Sequence, residues 1–99
     1  MRLDSRTRDI IKGEVAHWLG SGAVVRLFGS RVDDVQRGGD IDLLIDAVDF
    51  VPDRVITECR LAASLFIRLG GCKVDVLIRE PGGALLPIHK QALQKGIIL

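Results

Sequence analysis

Apolar residues recur along the first half of the chain at spacings that predict one helix followed by two strands. Helical spacing after Ser5 predicts a first helix, which ends at Gly20. The short apolar run over residues 23–28, broken by a single arginine, is typical of a buried strand. A glycine-containing segment follows, and residues 40–48 favour a second strand.

The second half of the chain carries the longest helical pattern. Pro52 suits the first turn of a helix predicted over residues 53–69, whose apolar positions step by 4, 3, 4 and 3 residues. This stripe, which we expect to face a sheet, consists of Val55, Cys59, Ala62, Phe66 and Leu69. A third strand is predicted over residues 73–78 and a last helix over residues 87–95, followed by an apolar tail. This order predicts one α/β domain over residues 1–99, with helices packed on a small sheet.

Composition narrows the classes of protein to which this chain can belong. The 99 residues include 14 lysines and arginines against 13 aspartates and glutamates, and this balance argues against a general nucleic-acid-binding protein. Aromatic residues make up only 4% of the chain, which argues against a stacking surface for single strands. A charged amino terminus and the lack of a run of about 18 apolar residues predict a cytoplasmic protein with no membrane partner. Cys59 and Cys72 have no C-x-x-C spacing and are expected to be reduced, buried thiols.

Two aspartates interrupt the second predicted strand. Asp40 and Asp42 lie within an otherwise apolar run, although aspartate is disfavoured in strands. Side chains at positions i and i+2 of a strand point to one face, with Cα atoms about 6.7 Å apart. Two such carboxylates repel each other unless a cation binds both, and Mg²⁺ takes oxygen ligands while leaving places for phosphate oxygens. The alternative is a solvent-facing edge strand with ordinary alternation.

A third aspartate strengthens the case for a metal site. Every neighbour of Asp75 in its predicted strand except Lys73 is apolar, so we expect the Asp75 carboxylate to be buried and to need a partner. If the two strands are adjacent, Asp75 completes with Asp40 and Asp42 a cluster that can hold two Mg²⁺ ions about 3.5–4 Å apart. A purely structural Asp75 would leave the other two aspartates unexplained. Asp46 shares their parity but lies about 13 Å from Asp40 along the strand, so we leave it out of the cluster.

A candidate phosphate site precedes these aspartates. Gly29 and Ser30 follow the first predicted strand, where glycine permits a tight turn and serine can open a short helix. Backbone N–H groups at a helix start, with a serine hydroxyl beside them, form an anion site suited to a triphosphate. Arg31 and Arg37 flank the site in sequence, and either guanidinium can neutralise phosphate charge. A solvated loop arginine is the alternative at both positions.

The combined pattern resembles a known family. The glycine–serine pair at 29–30, the D-x-D at 40–42 and the later Asp75 together look like the nucleotidyltransferase signature of the DNA polymerase β superfamily. The short length and the segment over residues 87–97 are similar to its minimal nucleotidyltransferases. These are often encoded beside a HEPN-domain protein as a toxin–antitoxin pair.

The resemblance implies a small mixed sheet flanked by helices, like the palm of polymerase β, and assigns roles to six residues. Implied as catalytic residues and metal ligands are Asp40, Asp42 and Asp75, and implied as nucleotide-binding residues are Gly29, Ser30 and Arg31. The chain departs from many relatives after Ser30, because Asp33 and Asp34 stand where an arginine–glycine pair is usual. It also has Gly39 where many relatives have serine before the first aspartate.

The activity implied by the resemblance is the Mg²⁺-dependent transfer of a nucleoside monophosphate, AMP from ATP, to a hydroxyl group of a HEPN-type helical partner. The alternatives are nucleotidylation of a small, aminoglycoside-like molecule with a separate substrate-binding subunit, and a non-catalytic antitoxin that binds its partner. Apolar residues concentrate near the carboxy terminus, between Leu85 and Leu99, and we expect some of them to form a partner surface. A homo-oligomer that covers the same surface is the simpler alternative.

Overall fold

The computed structural model describes residues 5–28, 41–82 and 96–99 of the chain. Its elements, in chain order, are α1 (Ser5–Leu19), β1 (Val24–Phe28), β2 (Ile41–Asp46), α2 (Arg54–Arg68), β3 (Val74–Arg79) and β4 (Ile97–Ile98). The first five confirm the predicted elements, with small differences at their ends. The helix predicted over residues 87–95 lies outside the described residues. Neither α1 nor α2 is long and apolar enough to cross a membrane.

The strands of the described part form one mixed sheet in the order β3-β2-β1-β4. β2 and β3 are parallel and are connected through α2, whereas β1 is antiparallel to both of its neighbours. Two parallel neighbours require a crossover of this kind because their strands run in the same direction. The mixed α/β class that the sequence predicts is therefore confirmed.

The edge strand β4 is not predicted by the sequence, and it shows which part of the apolar tail belongs to the sheet. Ile97 and Ile98 pair with β1, and the Leu99 N–H donates to the Val25 carbonyl oxygen at 2.9 Å. Leu99 is buried in the core, Ile97 is half-buried and Ile98 is exposed. The tail therefore completes the sheet and contributes only one exposed side chain to the expected partner surface. The rest of that expected surface, over residues 85–93, lies outside the described residues.

The two described helices pack on the same face of the sheet. Alternate strand residues such as Leu43 and Ile45 are fully buried there, which follows from the two-residue period of a strand. Burial of one such side chain contributes about 1.5–3 kcal/mol to the free energy of unfolding. The main members of this core are Ile11, Val15, Val25, Leu27, Ile41, Leu43, Ile45, Leu61, Leu65, Val74, Val76 and Ile78. The intervening strand residues, which include Asp42 and Asp75, lie on the opposite face.

The face of α2 that packs on the sheet only partly matches the predicted stripe. Ala62 and Leu69 of that stripe pack against the core, beside the fully buried Leu61 and Leu65. The prediction is wrong for the other three members, because Cys59 is exposed and Val55 and Phe66 are 59% and 48% exposed. A polar contact explains the rotation, because Glu58 also lies on the inner side of the helix, with its side chain only 12% exposed. Hydrophobic periodicity treats a glutamate as an outward-facing residue, so it selects the wrong side of this helix.

Glu58 connects α2 to the outer edge of β3. Its carboxylate oxygen Oε2 accepts a hydrogen bond from the Ile78 N–H at 2.7 Å and a second from the Arg54 guanidinium at 3.0 Å. An edge strand otherwise presents unpaired N–H groups. The glutamate therefore satisfies a backbone donor of β3 and fixes the position of the helix against the strand.

Neither cysteine forms a disulfide within the part of the chain that the structure describes, and their expected burial is only partly correct. Cys72 is half-buried, whereas Cys59 is exposed on the outer side of α2. The change follows from the rotation of that helix relative to the predicted stripe.

We expect Glu58→Ala to lower the free energy of unfolding by about 1–3 kcal/mol, because it leaves the Ile78 N–H without its acceptor in a half-buried position. Glu58→Gln keeps a carbonyl oxygen that can accept the same hydrogen bond, so we expect it to recover at least half of the loss. Urea denaturation of the three proteins measures both effects. Equal destabilisation by alanine and glutamine would show that the charge of Glu58, and not the hydrogen bond, stabilises β3.

Candidate active site

Two of the three candidate carboxylates lie side by side on the sheet. In the parallel register of β2 and β3, Asp42 is the direct partner of Asp75. Neighbouring strands are about 4.8 Å apart, and residues paired in register project from the same face. The two aspartate-bearing strands are adjacent, which meets the condition that the sequence analysis set for a carboxylate cluster. One cation can therefore reach both carboxylates from the same side of the sheet.

Strand alternation places these carboxylates away from the core. Asp42 lies between Ile41 and Leu43, both of which pack under the helices, and it is half-buried. Asp75 likewise lies between the buried residues Val74 and Val76, but its own side chain is exposed. The expectation of a buried Asp75 carboxylate is therefore wrong, because only its neighbours face the core. An exposed carboxylate is accessible to a ligand from solution.

A depression of about 440 Å³ contains both carboxylates. Its lining residues are Phe28, Asp42, Asp75, Val76 and Leu77. Phe28 is the last residue of β1 and is the register partner of Asp42 on the side away from β3. Small-molecule sites commonly have this scale and combine apolar walls with a few polar groups. The sequence analysis missed Phe28 as a site residue, although strand alternation from Asp42 across the β1–β2 pair would have identified it.

Asp46, the third carboxylate described on this face, is already held by two arginines. Its oxygens accept hydrogen bonds from the Arg26 guanidinium and, at 2.7 Å, from Nε of Arg79. The three side chains are 18–27% exposed, so the ion pairs are partly shielded from solvent. This pairing agrees with the exclusion of Asp46 from the predicted metal cluster. The arginines come from β1 and β3, and only the strand register reveals that they flank Asp46.

Several predicted site residues lie outside the part of the chain that the structure describes. These are Asp40 of the predicted metal cluster and the predicted nucleotide-binding residues Gly29, Ser30 and Arg31. Within residues 5–28, 41–82 and 96–99, no group of three histidine, cysteine, aspartate or glutamate side chains can hold a metal ion. Asp42 and Asp75 are the two members of the predicted trio that these ranges contain. Their pairing is therefore the geometric evidence for the site.

Comparison with known proteins identifies the fold. No protein-family model matches the chain, and no curated protein matches it either. Solved structures do match. The toxin–antitoxin complex MntA–HepT is 20% identical with a TM-score of 0.67, covering 96% of this chain and 70% of that chain. A toxin–antitoxin complex with AMP-PNP is 22% identical with a TM-score of 0.67, covering 97% and 72%.

A third solved structure is the tri-AMPylated Shewanella oneidensis HEPN toxin in complex with MNT antitoxin. It is 21% identical with a TM-score of 0.55, covering 92% of this chain and 70% of that chain. At these identities the likeness shows the fold, and the chain has the fold of minimal nucleotidyltransferase structures that the sequence resemblance implies. Fold alone does not assign an activity, which depends on the residues of the site.

In the absence of divalent cations, we expect Asp46→Asn to lower the free energy of unfolding and Asp75→Asn not to lower it. Asp46→Asn weakens both ion pairs and leaves Arg26 and Arg79 facing each other, so it should cost about 1–3 kcal/mol. Asp75→Asn removes repulsion with Asp42, so it should leave stability unchanged or raise it by less than about 1 kcal/mol. Thermal denaturation in EDTA compares the variants directly. A large loss of stability in Asp75→Asn would assign that residue a structural role.

Proposed function

We propose that this chain is a Mg²⁺-dependent nucleotidyltransferase that transfers AMP from ATP to a hydroxyl group of a HEPN-type helical partner protein, as the antitoxin of a toxin–antitoxin pair. The observation that carries the proposal is the register pairing of Asp42 with Asp75 on the face of the sheet opposite the described helices α1 and α2. Two adjacent carboxylates in an open depression suit a hard divalent cation, which prefers oxygen ligands.

The carboxylates suit Mg²⁺ because they supply oxygen ligands from neighbouring positions on the sheet. Asp42 and Asp75 would hold the metal together with Asp40, which is two residues before Asp42 in the sequence. When bound, two Mg²⁺ ions would neutralise phosphate charge and lower the pKa of the acceptor hydroxyl. The buried side chain of Phe28 forms an apolar wall beside Asp42, and such a wall strengthens electrostatic interactions by limiting access of water.

The residues that we assign to the triphosphate directly follow Phe28 in the sequence. β1 ends at Phe28, the register partner of Asp42, and Gly29 and Ser30 are the next residues of the chain. We assign their backbone N–H groups and the serine hydroxyl to the terminal phosphates, with Arg31 as a further cationic contact. The sequence supports this assignment, because the glycine–serine pair directly follows Phe28, the register partner of Asp42.

The reaction that we assign to the site is a single in-line displacement. The acceptor hydroxyl oxygen attacks the α-phosphorus of ATP, a new P–O bond forms, and the bond to the bridging oxygen of pyrophosphate breaks. Asp75 accepts the hydroxyl proton, because it is the exposed member of the carboxylate pair and the acceptor approaches from solvent. The other residues bind and orient the donor, which is the main contribution of a protein to phosphoryl transfer.

The partner and the nucleotide are proposed from the structural neighbours. One of them is a toxin–antitoxin complex with AMP-PNP, and another contains a tri-AMPylated HEPN toxin with its MNT antitoxin. An acceptor carried by a second protein is consistent with both of these structures.

Asp42→Asn should reduce AMP transfer at least about 100-fold, because it removes one of the adjacent carboxylates that hold the cation. The matched control is Asp49→Asn, which removes the same charge from an exposed residue shortly after β2. Incorporation of α-labelled ATP into the partner protein measures the rate for both. Wild-type activity in Asp42→Asn would contradict the assignment of the site.

Co-expression with the HEPN-type protein should give a complex in which that protein gains about 329 Da for each AMP, the mass that transfer of AMP adds. Intact-mass spectrometry of the partner, expressed with wild-type chain and with Asp42→Asn, separates transfer from simple binding. A partner that binds but gains no mass would favour a non-catalytic antitoxin. A partner that neither co-purifies nor gains mass would favour a small-molecule acceptor.

A further inference from the structure

The solvent-facing side of α2 carries an apolar stripe along its whole length. Six residues, which we call the outer stripe, are all exposed: Val55, Ile56, Cys59, Ala63, Phe66 and Ile67. At 100° per residue they span an arc of about 120° on the helix surface. Ile67 is 76% exposed and Ile56 is 51% exposed, so these side chains make few contacts within the chain.

This distribution is unusual for a surface helix, which normally presents charged residues to solvent. On α1 the exposed positions include Arg8, Asp9 and Lys12, as expected. On α2, Arg54 instead forms an ion pair with Glu58 of the same helix, and Arg68 forms one with Glu14 of α1. A continuous apolar surface of this kind marks an interaction site.

The spacing of the outer stripe identifies the partner surface that fits it. The steps between consecutive members are 1, 3, 4, 3 and 1 residues, which is the same sequence from either end. Side-chain size is also symmetric about the centre of the outer stripe. Large side chains lie at both ends, Val55 and Ile56 at one and Phe66 and Ile67 at the other, while the small residues Cys59 and Ala63 lie in the middle.

We propose that α2 packs antiparallel against α2 of a second copy of this chain. The two-fold axis lies on the outer-stripe side of the helix, at the level of residue 61. The palindromic spacing then places Val55 opposite Ile67 of the second copy, Ile56 opposite Phe66, and Cys59 opposite Ala63. An interface of this kind is isologous, because one surface must complement itself. A surface whose pattern is identical from both ends meets that condition.

The physical chemistry of the helix favours this arrangement. The small residues at the centre allow the helix axes to approach to about 8–10 Å. Antiparallel packing brings the positive amino-terminal end of each helix beside the negative carboxy-terminal end of the other. Arg60 is the one charged side chain at the edge of the outer stripe within α2, and its length lets the guanidinium extend into solvent.

Dimerisation through the outer stripe leaves the proposed active site open. α2 packs on one face of the sheet, whereas Asp42 and Asp75 project from the other face. The two depressions of a dimer would therefore open on opposite sides of the assembly. The inference does not depend on the proposed function, since it rests on a separate surface.

Sedimentation of the purified wild-type chain should show a reversible change from a 10.8 kDa monomer to a dimer. A single pair of helices buries less than the standard interface of about 800 Å² per partner, so we expect half-dissociation on the order of 1–100 μM. Ile67→Glu should weaken the dimer at least about 10-fold, because it places a charge in an apolar contact. The matched control is Ile98→Glu on β4, where the replaced isoleucine is 62% exposed and lies outside the outer stripe.

A wild-type chain that stays monomeric up to about 1 mM, ten times above the weakest affinity expected from the interface size, would overturn the proposal. Equal weakening of the dimer by Ile67→Glu and Ile98→Glu would also overturn it. If the chain is monomeric and Ile67→Glu instead abolishes co-purification of a helical partner protein, the outer stripe binds that partner and not a second copy.

Cysteine cross-linking tests the antiparallel register itself. In Ala63→Cys combined with Cys72→Ser, the introduced thiol lies opposite Cys59 of the second copy, at a Cα separation within the range of about 4.4–6.8 Å that a disulfide spans. Mild oxidation should therefore give a covalent dimer in high yield. Lys12→Cys in the same background places the thiol on exposed α1 and should give at most a small fraction of dimer. Equal yields from both variants would contradict the register.

Discussion

The parallel pairing of β2 with β3 is the constraint on which both the core and the candidate active site depend. Because side chains alternate between the faces of a strand, a slip of one residue would move Val74, Val76 and Ile78 out of the core. The same slip would turn Asp75 away from Asp42. The hydrophobic effect therefore enforces the register that brings two carboxylates together, although the carboxylates repel each other. Burial on one face of the sheet compensates for electrostatic cost on the other.

On the sheet face that carries Asp42, Asp75 and Asp46, opposite the described helices, the two ends differ in their electrostatics. At one end Asp46 is neutralised by Arg26 and Arg79, which makes a closed ion-pair network between three strands. At the other end Asp42 and Asp75 lie in an open depression, within reach of a ligand from solution. The same residue type thus forms ion pairs with arginines at one position and lines an open depression at another, and the difference follows from the cross-strand neighbours that the register supplies.

Much of the fold and the central pair of the site could be predicted from the sequence, because local patterns encode them. Apolar runs located the three longer strands, and aspartates inside two of those runs indicated the candidate site. Features that depend on a distant partner could not be predicted. The inward position of Glu58 depends on the Ile78 N–H, and strand β4 depends on pairing with β1 over only two residues. Strand alternation did contain the signal that Asp75 is exposed, because its neighbours Val74 and Val76 face the core.

The central claim is that Asp42 and Asp75 act together to hold a divalent cation that positions a nucleotide. Calorimetric titration of the chain with AMP-PNP, in Mg²⁺ and then in EDTA, tests it most directly. We expect wild-type chain to bind at least about 10-fold more tightly in Mg²⁺, and Asp75→Asn to lose that difference while remaining folded. Equal affinity in Mg²⁺ and EDTA for the wild-type chain, or an undiminished Mg²⁺ effect in Asp75→Asn, would contradict a cation held by this pair.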